Sequence, residues 1–237
     1  RKILIIVREK DKKNFFELLG NGKDLGVDIS YAIQKKPKGI ADAFKIGKNF
    51  IKKDNVALVL GDNIFYGKNL SNLLFNAKKR RIGATIFSFS VKDPERFGVI
   101  EIKNKNKVLS IVEKPKKPKS NLAATGLYFY DNRVVDIVKR LKPSKRGELE
   151  ITDVNTTYLK NEELFVEHLG KGFSWLDTGT SETLLDANNF ISTTQKNNKK
   201  QIACLEEIAL KKKWIKKRNI ENRLKKLTKG SYSDYLR

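Results

Sequence analysis

Apolar positions recur along this chain with two periods, and segments of the two kinds alternate. Arg1–Val7 carries an unbroken β-branched run, the signature of a buried parallel strand. Asn14–Leu19 reads as a short helix ending at Gly20, Val27–Gln34 as a strand, and Gly39–Phe50 as a helix with Ile40, Ala43, Phe44 and Ile46 on one side. Asn55–Leu60 is a second buried strand that stops at Gly61-Asp62-Asn63, followed by an amphipathic helix at Leu70–Lys79. Ala84–Val91 is a strand, Phe97–Lys103 with Val108–Glu113 a hairpin, and Thr125–Tyr130 a further strand. Helices follow at Val134–Leu141 and Glu150–Asn161, then strands at Leu164–Leu169 and Phe173–Leu176. Thr180–Asn197 is a long helix, and Glu206–Leu227 is helical with a break near Arg218-Asn219. Strands alternating with helices predict a Rossmann-like, doubly wound α/β sheet of mixed type with a C-terminal helical appendage.

Composition narrows this. With 39% hydrophobic residues among 237, spread along the chain, a real core is affordable and wholesale disorder is excluded. No apolar run approaches the roughly 18 residues of a membrane span. The single cysteine, Cys204, makes no internal disulfide or cysteine metal cluster and fits a reducing compartment, the cytoplasm. There is no Met, and the chain opens at Arg1 directly in an apolar run, so an N-terminal portion is expected to precede it.

Lys and Arg number 50 against 27 Asp and Glu, a net charge of +23. Such an excess fits a nucleic-acid binder that replaces phosphate counterions. It also fits lysines spread over solvated faces, and their distribution through the whole chain favours this second reading. The densest stretch is C-terminal, with Lys211-Lys212-Lys213 and Lys216-Lys217-Arg218, but it lacks the aromatic interleaving of an RNA-binding motif.

Ligands of open α/β sheets bind beyond the carboxyl ends of the strands. Asp62 stands there, after an apolar strand and a glycine that admits a ligand, as a Mg²⁺ ligand would. An Asp capping the following turn is the other reading. Asp177, in Trp175-Leu176-Asp177-Thr178-Gly179-Thr180, again ends a strand just before a helix, where a helix cap is an equally ordinary role. Two such carboxylates on one sheet edge could hold one metal. Lys114, in Glu113-Lys114-Pro115, and Arg146, in a loop before a helix, could grip a phosphate; a loop salt bridge is the bland alternative for Arg146. The only histidine, His168, reads as structural, and without a Ser–His pair nucleophilic hydrolase chemistry has little support.

At these residues the pattern resembles a known family. ALVLGDNIFYG (57–67), DPERFGV (93–99), Glu113-Lys114-Pro115, TGLYFYD (125–131), LKPSKRGELEITD (141–153) and WLDTGT (175–180) occur in the order and spacing of glucose-1-phosphate thymidylyltransferases, also called dTDP-glucose pyrophosphorylases. The likeness covers essentially the whole chain. It implies transfer of a thymidylyl group from dTTP to α-D-glucose 1-phosphate, giving dTDP-glucose, a precursor of dTDP-rhamnose-type sugars, and pyrophosphate. It further implies Mg²⁺ on Asp62 and Asp177, the sugar phosphate on Lys114 and Arg146, and the sugar against Gly98 and Glu113 with Thr125, Gly126 and Tyr128 nearby. Gln34 and Gly39 match the thymine-reading loop. A homotetramer without nucleic-acid or membrane partners is implied as well. The resemblance assigns residues 1–197 to an N-terminally incomplete nucleotidyltransferase domain and 198–237 to a helical segment packed on it or at a subunit interface.

Departures are specific. The family opens with a strand and a glycine-rich phosphate loop, and Arg1–Val7 matches its second strand. These residues alone are therefore expected to fall short of normal turnover, as a truncated relative would. Phe97 stands where Tyr is frequent, and Lys38 where an acidic residue is common.

Overall fold

A computed structural model describes residues 1–103, 107–225 and 227–237. The chain divides into two compact units, residues 1–36 with 188–237, and residues 37–187.

In the first unit, β1 (Lys2–Val7) pairs in parallel with β2 (Asp28–Ile33), with α1 (Lys12–Leu19) between them. The parallel pairing matches the expectation, but of β1 only Val7 is buried. The expected C-terminal helix is two, α8 (Leu205–Lys211) and α9 (Lys217–Leu224), parted at 212–216 rather than at Arg218-Asn219. Position 226, inside the helix expected there, lies outside the described residues. A further helix, α10 (Ser231–Leu236), was not expected. Ala209, Ile215 and Ile220 form the apolar centre with Trp214 and Leu236. Beside it the buried Glu206 accepts from Arg223 Nε at 2.6 Å and from the Tyr232 hydroxyl.

The second unit is built on a mixed sheet. Its path runs β7 (Lys107–Glu113), β6 (Gly98–Lys103), β8 (Leu122–Tyr130), β5 (Ala84–Ser90), β9 (Leu164–His168), with β3 (Val56–Val59) also on β8. Only β5–β9 is parallel among these pairs. Because β5 occupies one edge of β8, β3 and β6 share the other. β3 thus differs from the buried strand expected. It lies antiparallel to β8 and only half buried, with Val59 55% exposed. The expected helix at 39–50 is broken at Gly47 into α2 (Asp42–Ile46) and α3 (Lys48–Ile51). The amphipathic segment at 70–79 forms α4 (Leu70–Lys79) as expected.

Alternation along β8 feeds two cores. Tyr128 and Tyr130 pack with Ile86, Ile100 and Phe44, and with Val134, Val138, Val154 and Tyr158 of α5 (Val134–Arg140) and α6 (Ile151–Lys160). Leu127 faces the other way, onto Phe87, Leu169 and the apolar side of α4. Both faces of the sheet are therefore covered, as the doubly wound class requires. Each fully buried large apolar side chain contributes roughly 1.5–3 kcal/mol. A separate pair, β4 (Asn63–Gly67) with β10 (Phe173–Asp177), is antiparallel. After it, α7 (Ser181–Asn198) begins in the second unit and ends in the first. No helix among the described residues is long and apolar enough to cross a membrane.

Candidate functional site

The site is organised where β3 gives way to β4. Leu60 N–H donates to the Gly126 carbonyl at 2.9 Å, which prolongs the β3–β8 ladder by one bond. The chain then turns through Gly61-Asp62 and enters β4 at Asn63, directly opposite Asp177 of β10. Thr178 closes this end twice, its N–H and its hydroxyl both donating to the Asp62 carbonyl at 2.9 Å. Two carboxylates 115 positions apart in sequence thereby stand at one end of one strand pair.

Asn63 ties this end to the sheet. Its Oδ1 accepts from Gly126 N–H at 3.0 Å and from Trp175 Nε1–H at 2.7 Å, and its Nδ2 donates to Asp62 Oδ1 at 2.8 Å. Gly126 is required for the approach: a Cβ there would lie 2.5 Å from Asn63 Oδ1. Among the described residues the Asp62 carboxylate accepts from no backbone N–H, so the turn-capping alternative finds no bond. Asp177 accepts from Gly179 N–H at 3.1 Å, while the helix-cap role falls to Thr180, whose Oγ1 accepts from Thr183 N–H at 3.2 Å.

These residues line a cavity of about 270 Å³. It gathers Asp62, Gly98, Glu113, Lys114, Gly126, Tyr128, Arg146 and Asp177 from the sequence candidates. Glu113 ends β7 opposite Gly98, and its Oε2 accepts from Thr152 Oγ1 at 2.5 Å. Lys114 follows with φ +42, in the left-handed region that is costly for a side chain, and its N–H donates to the Phe97 carbonyl at 3.0 Å. Arg146 rides on a turn in which Ser144 Oγ accepts from Arg146 N–H at 3.2 Å and donates to Glu150 Oε1 at 2.7 Å. Its guanidinium lies 3.2 Å from Glu148 and 3.7 Å from both Glu113 and Glu150. Burial, with the Glu113 charge adding to it, pushes the Tyr128 phenol well above its ordinary pKa, so it stays a donor at neutral pH.

Three candidates lie elsewhere. Thr125 is fully buried, and the cavity is lined by its neighbours Ala124 and Gly126, because successive strand side chains point to opposite faces. Gly39 adopts φ +94 against Leu149, whose carbonyl a Cβ would meet at 2.4 Å. It brings Ile40, not itself, to the cavity. Gln34 lies in the first unit just past β2, its N–H donating to the Val7 carbonyl at 2.9 Å.

The lining holds five carboxylates (Asp62, Glu113, Glu148, Glu150, Asp177) against three cations (Arg96, Lys114, Arg146). On a chain of +23 this cavity is acid-rich, so the excess basic charge lies outside it. Oxygen donors in surplus, with the Asp62 and Asp177 carboxylates among the lining, fit a hard divalent cation that arrives with phosphates. No group of three or more metal-type side chains forms among the described residues, so protein ligands alone would not complete its shell.

Sequence reasoning missed the Asn63 node, the Phe97–Trp175 wall (ring centroids 5.1 Å apart) and Asn155. Asn155 is fully buried at the cavity, its Oδ1 taken by the Tyr130 hydroxyl at 2.5 Å and its Nδ2 without a partner among the described residues. The three-residue spacing of Thr152 and Asn155 on α6 was the available signal. A Ser–His pair also exists, contrary to expectation. Ser88 Oγ lies 3.1 Å from His168 Nδ1 across β5–β9. Ser88 is fully buried and lines no part of the cavity, so the pair is structural.

The profile of the nucleotidyl transferase family matches residues 1–194. The glucose-1-phosphate thymidylyltransferase of Neisseria meningitidis serogroup A is 51% identical over 236 residues, covering 100% of this chain and 82% of the relative. That of Mycobacterium tuberculosis H37Rv is 47% identical with the same coverage. Among solved structures, one described as a glucose-1-phosphate thymidylyltransferase from Bacillus anthracis in complex with a sucrose superposes with a TM-score of 0.72. It is 41% identical and covers 79% of this chain and 74% of its own. A UDP-glucose pyrophosphorylase complexed with UDP-glucose shares the fold at a TM-score of 0.68 and 22% identity, covering 82% of this chain and 81% of its own.

Proposed function

This chain belongs to the nucleotidyl transferase family, among its glucose-1-phosphate thymidylyltransferases, and from that premise we propose how its cavity serves the reaction. A phosphate oxygen of glucose 1-phosphate attacks the α-phosphorus of dTTP in line. The bond from that phosphorus to the β-phosphate oxygen breaks, and dTDP-glucose and pyrophosphate result. Catalysis of this kind needs positioning and charge neutralisation rather than a protein nucleophile.

Lys114 and Arg146 hold the phosphate of the sugar. The 3.2–3.7 Å contacts of Arg146 leave its fork loosely engaged, so an arriving phosphate can take it bidentately. Glu113 accepts from sugar hydroxyls, Tyr128 donates, and Gly98 and Gly126 keep the floor low. Asp62 and Asp177 hold Mg²⁺, which when bound neutralises phosphate oxygens in this acid-rich cavity. Gln34 and Gly39 match the thymine-reading loop by resemblance alone. By the same resemblance the reading extends to a cytoplasmic homotetramer that supplies dTDP-rhamnose-type precursors.

One observation carries the reading: Asp62 and Asp177, distant in sequence, meet at one end of β4–β10 on the cavity that also holds Lys114 and Arg146. The test is dTDP-glucose formation from dTTP and glucose 1-phosphate, followed with and without Mg²⁺. Product that requires both substrates and stops on chelation is expected. Product formation indifferent to Asp62→Asn and Asp177→Asn would overturn the cation assignment.

A further inference from the structure

We propose that Asn63 is a positioning residue that locks the Asp62 carboxylate to the Trp175 wall of the cavity, so that the cation end and the aromatic end of the site are set together. The proposal rests on the reading of Asp62 as a cation ligand.

The orientation of the Asn63 amide follows from its partners. Gly126 N–H and Trp175 Nε1–H can only donate, and both reach the same atom, at 3.0 and 2.7 Å. That atom is the oxygen, so the amide nitrogen faces Asp62 Oδ1 at 2.8 Å. One Asp62 oxygen is thereby pinned. Trp175 is fixed at its other side by rings, Phe97 at 5.1 Å and Phe89 at 6.1 Å between centroids. Gly126 leaves the space that the amide occupies, where a Cβ would lie 2.5 Å from Asn63 Oδ1. Three strands, β4, β8 and β10, thus converge on one side chain that touches a candidate cation ligand and a cavity wall at once. Orienting partners of this kind typically change metal affinity about 10- to 100-fold when removed.

A merely structural lock would also cost stability when broken, so stability alone does not test the idea. The decisive readout is Mn²⁺ alone, its affinity measured by titration calorimetry or electron paramagnetic resonance. Asn63→Ala is expected to weaken Mn²⁺ binding about 10-fold. Trp175→Phe keeps the aromatic wall and removes only the Nε1–H donor. It is expected to weaken Mn²⁺ binding several-fold, although the indole is not a cation ligand, and to have no such effect once Asn63→Ala is present. Unchanged Mn²⁺ affinity in Trp175→Phe, or effects that simply add in the double variant, would overturn the proposal, and the Trp175→Phe arm remains readable if Asn63→Ala fails to fold. Asp62→Asn separates the two levels. Loss of Mn²⁺ binding there supports the cation reading, and its retention overturns that reading and this proposal with it.

Discussion

Arg133 and Arg146 are equally exposed, 46% and 45% of their side chains, yet they sit in opposite kinds of surroundings. Arg133 donates twice to Asp131 Oδ2, at 2.9 and 2.5 Å, and once to Glu163 at 2.8 Å. Asp131 is itself saturated, taking Gly83 N–H at 2.7 Å, the Tyr158 hydroxyl at 2.8 Å and Arg133 N–H at 3.1 Å. Arg146 has three carboxylates around it and only one at hydrogen-bond distance. Exposure therefore does not separate the two. Partner geometry does: Arg133 holds two carboxylates at 2.5–2.9 Å, one of them itself saturated, whereas Arg146 has one carboxylate at 3.2 Å and two at 3.7 Å.

The largest expected effect breaks the open region at its carboxylates. Asp62→Asn or Asp177→Asn should lower Mg²⁺-dependent turnover by on the order of 10³-fold, the scale of losing a preorganised charge in a phosphoryl-transfer site. Thermal denaturation should hardly move, because Asp62 is exposed and Asp177 only half buried. Swapping the arginines sharpens the contrast. Arg146→Ala should weaken glucose 1-phosphate binding by roughly 2 kcal/mol, the worth of charge-assisted hydrogen bonds, with stability unchanged. Arg133→Ala should do the reverse, costing about 3 kcal/mol of stability by leaving the buried Asp131 unpaired, while calorimetry shows sugar-phosphate binding kept. Equal stability losses in both variants would refute the distinction.

Between these lies Gly126→Ala. The added methyl has no space beside Asn63 and Leu60, so a cost of roughly 1–3 kcal/mol is expected, as for overpacking in a tight core. Denaturant melts measure it, and loss of sugar-phosphate affinity should accompany it.

How far the two regions could be read from sequence follows the same division. Local pattern sufficed for α4, whose apolar face repeats at helical spacing, and for the β6–β7 strands. It also put Asp62, Asp177, Lys114 and Arg146 at strand ends and loops, where the cavity later joined them. It failed where a partner far along the chain decides. Local pattern assigns no element to Asn63–Gly67, which is a strand paired with Phe173–Asp177. LAATGLYFY is apolar on both faces, so alternation could not say that Thr125 points away from the cavity. The closed Asp131–Arg133 cluster went unseen for the same reason, since Gly83, Tyr158 and Glu163 reach it from three other parts of the chain.

The smallest effect distinguishes the regions by pH. Burial alone would raise the Asp131 pKa. The hydrogen bonds from Arg133, Gly83 and Tyr158 outweigh it, and the carboxyl ends below its ordinary value. In the unfolded chain that group keeps the ordinary value and takes up a proton first as pH falls. Unfolding therefore binds a proton in acid, and the stabilisation, complete above the unfolded-state pKa, is lost as pH drops through the folded-state one. Asp131→Asn should accordingly flatten the fall of stability below the ordinary carboxylate range, measured as melting temperature against pH. A slope left unchanged by Asp131→Asn would mean that the Asp131 carboxylate is no better satisfied in the folded chain than in the unfolded one, and that the closed geometry around Arg133 does not set that region apart from the surroundings of Arg146.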